Sequence, residues 1–272
     1  RARPIAAPFA APFPVRTAQD VQRLQARPLA DTLTVQSTYE IFCNSAAAFG
    51  DRRALTFLRS ADPADDAISW TYRELLAGIH QTANLLHSLG IREGDAVGVL
   101  LPGCLEYHLA LWGGEAAGIV QPLNPLLTDD KLASLMTTAG AKALIAYGSD
   151  VECGSWSKAL RLMERVPTLK TLLRVAPWHE AEADRPALPD FARDFNAARA
   201  AQPADRLVSE RVIRASDVAA YFHTGGTTGA PKLAIHTHAN QVFSAWAAVQ
   251  LQNAGPGDVV INGYPLFHVA GV

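Results

Sequence analysis

The sequence predicts an α/β fold, in which βαβ units form a largely parallel sheet with helices on both faces. Three observations carry this. Short apolar runs at 96–101, 119–121 and 143–147 alternate with helix-like stretches at 105–117 and 128–140. The connections between them are short, as in parallel strands joined by crossover helices. Right-handed crossovers then place those helices over the sheet. Finally, 49% of the 272 residues are apolar, enough for a sizeable core.

The elements follow in order. Residues 1–30 carry Pro4, Pro8, Pro12 and Pro14 and read as an extended, proline-rich arm. Those prolines break the apolar helix that a signal peptide needs. Arg1 stands where a Met would, which reads as a trimmed N-terminus. Tyr39–Phe49 reads as a helix ending before Gly50, Ala54–Leu58 as a strand, and Arg59–Ala67 as a polar turn. In that turn Asp65 and Asp66 are solvated acids, since two neighbouring carboxylates make no metal cage. Thr71 opens a helix. Glu74, three residues on, completes a capping box, and Gly90 supplies the stop. Trp70 and Tyr72 beside it are structural aromatics. Ala96–Leu101 is a buried strand, Leu105–Ala117 a helix ended by Gly118, and Ile119–Gln121 the next strand. Thr128 caps a helix that ends near Gly140, and Ala143–Tyr147 is a third strand. Residues 176–206, punctuated by Pro177, Pro186, Pro189 and Pro203, read as a long surface excursion. Asp217–Phe222 and Lys232–Thr237 read as strands joined by a Gly/Thr loop. A helix starts at Thr237 or His238 and runs to about Asn253, and Val259–Asn262 is a last strand.

Composition narrows the function. Lys plus Arg is 24 and Asp plus Glu is 26, a net charge of −2, so no basic face marks a nucleic-acid binder. Cys43, Cys104 and Cys153 are odd in number and far apart. They suit neither a disulfide framework nor a zinc site, and indicate a reducing cytoplasm. Cys104 reads as a buried small apolar residue rather than a nucleophile. His223, His236 and His238 cluster in sequence without the converging ligands of a zinc site. No run reaches the 18 apolar residues of a membrane span.

The chemistry concentrates in Thr224-Gly225-Gly226-Thr227-Thr228-Gly229-Ala230-Pro231-Lys232. Glycines let the backbone approach a ligand, and successive amides there form an anion nest. Thr224, Thr227 and Thr228 add hydroxyls, and Lys232 adds a mobile positive charge suited to phosphate. A Walker loop is excluded, because Pro231 precedes the lysine and the β-like Leu233-Ala234-Ile235 follows it.

The stretch Tyr221–Asn240, YFHTGGTTGAPKLAIHTHAN, closely resembles the phosphate-binding signature of the adenylate-forming (AMP-binding) superfamily. That superfamily includes acyl-CoA synthetases, peptide-synthetase adenylation domains and firefly-type luciferases. Gly225 stands where Ser is usual and Leu233 where Gly is usual. The resemblance runs through Ser69–Leu75, Val97–Thr128 and Asn262–Gly271, so about residues 35–272 follow the family order.

The resemblance implies an acyl-CoA synthetase. ATP and a carboxylic acid give acyl-adenylate and pyrophosphate, and CoA then takes the acyl group. It assigns the ATP phosphates to Thr224, Gly225, Gly226, Thr227, Thr228, Gly229 and Lys232, with Thr228 and Lys232 the catalytic pair. It places Phe267, His268 and Trp246 at the acid and CoA side, and Mg²⁺ on the phosphates without a protein ligand in this stretch. The family's later adenine, ribose and C-terminal lysine motifs are absent. Residues 31–272 therefore read as the first half of an N-terminal adenylation domain, inactive alone. Alternatives are adenylation with transfer to a carrier-protein thiol, and a catalytically incomplete nucleotide-binding or scaffold protein.

Overall fold

A computed structural model describes residues 13–31, 33–60, 62, 66–151, 154–181, 183, 185–224, 232–252 and 254–271. Helix α1 (Ala18–Gln25) lies inside the segment expected as an extended arm, so that expectation is corrected for these residues. Its start is fixed locally. The Thr17 hydroxyl accepts from the Asp20 amide while the Asp20 carboxylate accepts from the Thr17 amide. None of its residues is buried. Helix α2 (Thr38–Phe49) follows, capped by Ser37. Strands β1 (Arg53–Phe57) and β2 (Ile68–Thr71) pair as an antiparallel ribbon. Helix α3 (Tyr72–Ser88) starts on the capping box expected at Thr71 and Glu74.

The main sheet then builds up. Its strands are β3 (Ala96–Leu100), β4 (Ile119–Pro122), β5 (Ala143–Tyr147), β6 (Thr171–Val175), β7 (Ala192–Asp194), β8 (Val218–His223) and β9 (Leu233–Thr237). Their spatial order is β7-β6-β5-β3-β4-β8-β9. All neighbours are parallel except β8 and β9, which form an antiparallel hairpin. Between the strands lie α4 (Leu105–Ala117), α5 (Asp129–Ala139), α6 (Ser155–Arg165) and α7 (Phe195–Ala200), and α8 (His238–Gln252) follows the hairpin.

Strand side chains alternate between faces, and the core divides accordingly. Val97, Val99, Ile145, Leu173, Ala220 and Phe222 pack with α3, α4 and α7. Ala96, Leu100, Leu144, Ala146 and Leu172 pack with α5 and α6. The helices thus cover both faces, as the sequence predicts. Gly113 lets α4 lie close on α3, since a Cβ there would sit 2.6 Å from the Cβ of Thr82. Gly140 ends α5 in the left-handed region at φ 64°.

Three local expectations change. Thr128 precedes α5, but its side chain makes no capping hydrogen bond. The 176–206 stretch is not wholly an excursion, because β7 extends the sheet and Phe195 is fully buried. Asn84 pulls it back by donating to the carbonyls of Pro203 and Arg206, and His80 bonds the Ala204 carbonyl. Val259–Asn262 forms no strand. Val259, Val260 and Ile261 are 91%, 75% and 89% exposed, and among the described residues no ladder partner stands beside them. A β conformation is held by its pairing, so apolar composition alone does not make one.

Candidate active site

The β8–β9 hairpin carries the site. Strand β8 leaves the parallel sheet at its carboxyl end, where ligands bind in open α/β sheets. The hairpin closes across its tip. The Thr224 amide donates to the Lys232 carbonyl at 2.8 Å, and the Lys232 amide donates to the Thr224 hydroxyl at 3.3 Å. These two predicted phosphate-binding residues are therefore neighbours, both exposed. Gly225, Gly226, Thr227, Thr228 and Gly229, assigned to the phosphates from sequence, lie outside the described residues.

His223 ends β8 next to Thr224 and is half-buried. Burial lowers its pKa, partly offset by a hydrogen bond with the Thr224 main chain. His268 lies within electrostatic range of His223. His268 sits in a turn. Its amide donates to the Pro265 carbonyl at 3.0 Å and its Nδ1 accepts from the Ala270 amide at 3.1 Å. Asn262 closes this turn, donating from Nδ2 to the Gly271 carbonyl and accepting the Tyr264 amide on Oδ1. Phe267 beside it is partly buried. Trp246 lies on α8, its ring 6.0 Å from that of Phe243 on the same helix.

His223 is the residue that sequence reasoning passed over as a site member. Its Nε2 is buried without a hydrogen-bond partner among the described residues. The signal was its place directly before Thr224 at the end of a strand. His236 instead packs its ring 5.0 Å from Phe222.

At the hairpin's other end, the base is tied down. The His238 amide donates to the Asp217 carbonyl at 3.0 Å and the Ala239 amide to the Ala215 carbonyl at 2.9 Å. Thr237 and Asn240 exchange side chain-to-amide hydrogen bonds, a reciprocal cap that starts α8.

A separate cavity of about 440 Å³ is lined by His87, Arg92, Glu93, Ala117, Arg211 and Arg214 among others. It lies at the amino ends of β3 and β4, away from the hairpin tip. Two of its arginines are occupied. Arg92 caps the end of α3 through the His87 carbonyl, and Arg211 caps α4 through the Glu115 and Ala116 carbonyls.

Desolvation pushes the Cys104 thiol well above the usual range, which disfavours the thiolate. No group of three or more His, Cys, Asp or Glu residues is placed to hold a metal among the described residues. Among these residues, no helix is long and apolar enough to cross a membrane.

Residues 42–272 match the family described as AMP-binding enzyme. The chain is 30% identical to marinolic acid–CoA ligase of a Pseudoalteromonas species, an alignment covering 96% of this chain and 40% of that protein. It is 26% identical to crotonobetaine/carnitine–CoA ligase of Salmonella arizonae, covering 88% of this chain and 44% of the relative. Among solved structures it resembles the acetoacetyl-CoA synthetase of Streptomyces lividans, with a TM-score of 0.72 and 18% identity over 85% of this chain and 35% of that one. A long-chain-fatty-acid–CoA ligase of Archaeoglobus fulgidus gives a TM-score of 0.69 at 19% identity, over 86% and 43%. The chain spans about two-fifths of the length of the curated relatives it matches. With its parallel sheet, its hairpin-borne Gly/Thr loop and this match, the chain belongs to the AMP-binding enzyme family.

Proposed function

We propose that the complete protein bearing this sequence is an AMP-forming acyl-CoA synthetase. The observation that carries the reading is the hairpin closure, which pairs Thr224 with Lys232 at the carboxyl end of β8 in a chain of this family. A carboxylate oxygen attacks the α-phosphorus of ATP, the α–β phosphoanhydride bond breaks, and pyrophosphate leaves. The CoA thiolate then attacks the acyl carbon and AMP departs. In the first step the protein places the reactants and stabilises charge. Lys232 offsets the charge on the departing phosphates, and the hydroxyls of Thr224, Thr227 and Thr228 donate to them, with Thr228 and Lys232 catalytic. The backbone at Gly225, Gly226 and Gly229 lets the loop close on the phosphates.

Phe267, His268 and Trp246 belong to the acid and CoA side in this reading. His268 is held in a defined turn, its amide bonded to the Pro265 carbonyl and its Nδ1 to the Ala270 amide. Mg²⁺ is expected with the ATP. The described residues at the loop base are threonine, lysine and histidine, with no carboxylate, and do not fit a hard divalent cation. No step is assigned to it. Free Cys43 and Cys104 thiols support a cytoplasmic setting. CoA is preferred over a carrier thiol as acceptor because the relatives compared are named as CoA ligases.

The test is direct. The complete protein is incubated with ATP, a panel of carboxylic acids, and either CoA or a phosphopantetheinylated carrier protein. Acid-dependent pyrophosphate release followed by acyl-CoA is the expected result. Transfer to the carrier alone would move the reading to the alternative acceptor. Absence of release with every acid would overturn it.

A further inference from the structure

Glu115 on α4 is fully buried, in a helix otherwise rich in apolar residues. A buried carboxylate is costly unless each oxygen is paired. Here both are. Oε2 accepts from the Thr38 hydroxyl of α2 at 2.7 Å, and Oε1 accepts from Nε2 of Gln241 on α8 at 2.8 Å. The Thr38 oxygen also lies 3.0 Å from Nδ1 of His238, itself fully buried at the start of α8. One side-chain cluster therefore joins α2, α4 and α8.

The cluster sits at the base of the β8–β9 hairpin, whose tip holds Thr224 and Lys232. Arg211 extends it, bonding the Glu115 main-chain carbonyl at 3.2 Å and the Asp217 carboxylate at 3.3 Å. Asp217 in turn takes the His238 amide on its carbonyl. Both strands of the hairpin are thus tied to Glu115, one through Asp217 and the other through His238.

The proton inventory allows two states. With Glu115 ionised, Thr38 donates its single hydroxyl proton to Oε2, so His238 Nδ1 must carry a proton and donate to Thr38. With Glu115 protonated, its O–H donates to Thr38, the hydroxyl turns to Nδ1, and the His238 proton moves to Nε2. The Thr38 amide, 3.4 Å from Nδ1, suits this second state. In both, His238 Nε2 meets no hydrogen-bond partner with good geometry among the described residues.

We propose that Glu115, Thr38 and His238 form a buried proton-reversible relay anchoring the base of the β8–β9 hairpin, which makes Glu115 a positioning residue for the phosphate-binding loop at its tip. The link to phosphate binding rests on the function proposed above; the anchor itself does not. Burial raises the Glu115 pKa to about 7, so the relay reverses near neutral pH. The charged or titratable groups around it are His238 from α8 and Arg211 with Asp217 ahead of β8. From α2 comes Thr38, and α3's His80 is committed to Tyr39 and the Ala204 carbonyl. His238 is lowered to about 4 by burial, with Arg211 adding to the lowering, and so stays neutral in this window.

The experiment compares the complete wild-type protein with Glu115→Gln, which keeps the shape and does not titrate. Thr38→Val, with Thr38→Ser as its rescue, is the second route should Glu115→Gln fold poorly. Amide exchange, corrected for intrinsic rates, is read at pH 6 and pH 8 without substrates. Protection across 218–223 and 233–242 is expected to fall by up to roughly tenfold in wild type and Thr38→Ser between pH 6 and pH 8, most of it as pH approaches the midpoint, and to level off above it. It is expected to stay level in Glu115→Gln and Thr38→Val. Over the same window the wild-type KM for ATP should rise while that for the acid holds, and Glu115→Gln should flatten the rise. An equal pH response in Glu115→Gln, or one spread evenly over the sheet, overturns the anchor. A local exchange response with an unchanged KM for ATP overturns the positioning role. A wild type that turns over no acid defeats the proposed function instead, and the substrate-free exchange still decides the anchor.

Discussion

Lys232 is exposed at the hairpin tip, so its loss removes charge from a surface rather than filling or emptying a core. Lys232→Ala in the complete protein should therefore leave the unfolding midpoint nearly unchanged. Adenylation should slow by about 10²-fold, the cost typical of one group that stabilises developing charge. Steady-state pyrophosphate release and a urea melt check both halves. Turnover within about twofold of wild type would remove Lys232 from the phosphate site. His268→Ala should raise the KM for the acid or slow thioester formation, with the KM for ATP moving much less, because a lost contact weakens only the ligand it touches. A selective rise in the KM for ATP on His268→Ala would place that residue on the nucleotide side.

Helix α3 shows what an element owes to local chemistry and what to packing. The Thr71 hydroxyl accepts from the Glu74 amide at 3.2 Å, and the Glu74 carboxylate accepts from the Thr71 amide at 2.7 Å. Thr71→Ala should cost about 1 kcal/mol by urea unfolding. An unchanged midpoint would mean that packing alone holds the helix start. Farther along, α3 meets α4 so closely that Gly113 has no room for a methyl group. Its Cβ would stand 2.6 Å from Thr82 Cβ and 3.2 Å from the Ile79 carbonyl. Thr82 is fully buried and has nowhere to move. Gly113→Ala is expected to destabilise the fold by about 1–3 kcal/mol despite the better helix propensity of alanine. A neutral or stabilising result would show that α3 and α4 can slide apart.

Across the whole molecule, buried titratable groups set the pH dependence of stability. His108 and His238 are lowered to about 4 by burial. The unfolded chain binds their protons first, so the stability they contribute is full above about 6.5 and is lost as pH falls toward 4. Glu115 acts in the opposite sense. Its raised pKa favours the folded, protonated form, and that stability is lost as pH rises from about 4.5 to about 7. The difference in unfolding free energy between wild type and Glu115→Gln should therefore drift against wild type as pH rises through this window, and level off above it. A flat difference from pH 5 to 8 would show that Glu115 is ionised throughout. At the same scale, the 272-residue chain alone should release no pyrophosphate above background, since it spans about two-fifths of its relatives' length. Enzymatic release from it would show that the groups needed for adenylation lie within these residues.

Local signals were legible wherever one stretch of chain decides its own structure. The capping box at Thr71, the strand at Ala143–Tyr147 and the helix Leu105–Ala117 were readable because periodicity, caps and glycine stops act over a few residues. The hairpin around the Gly/Thr loop was readable as well, since β-like runs flank it on both sides. What needed the fold involves partners far apart in sequence. Helix α6 and strand β6 drew no sequence expectation. Helix α1 was hidden behind a proline-rich composition. Val259–Ile261 has strand-like residues but no described strand to pair with, and β structure is a property of pairs. The buried contact of Glu115 with Thr38 and Gln241 spans 77 and 126 residues. Sequence alone shows only one glutamate in an apolar helix. The Gly/Thr loop could be singled out from the residues it contains, because its composition is local. The hydrogen-bonded cluster of Glu115, Thr38, His238 and Gln241 beneath the hairpin was decided by tertiary packing, which alone brings such distant groups within reach of one another.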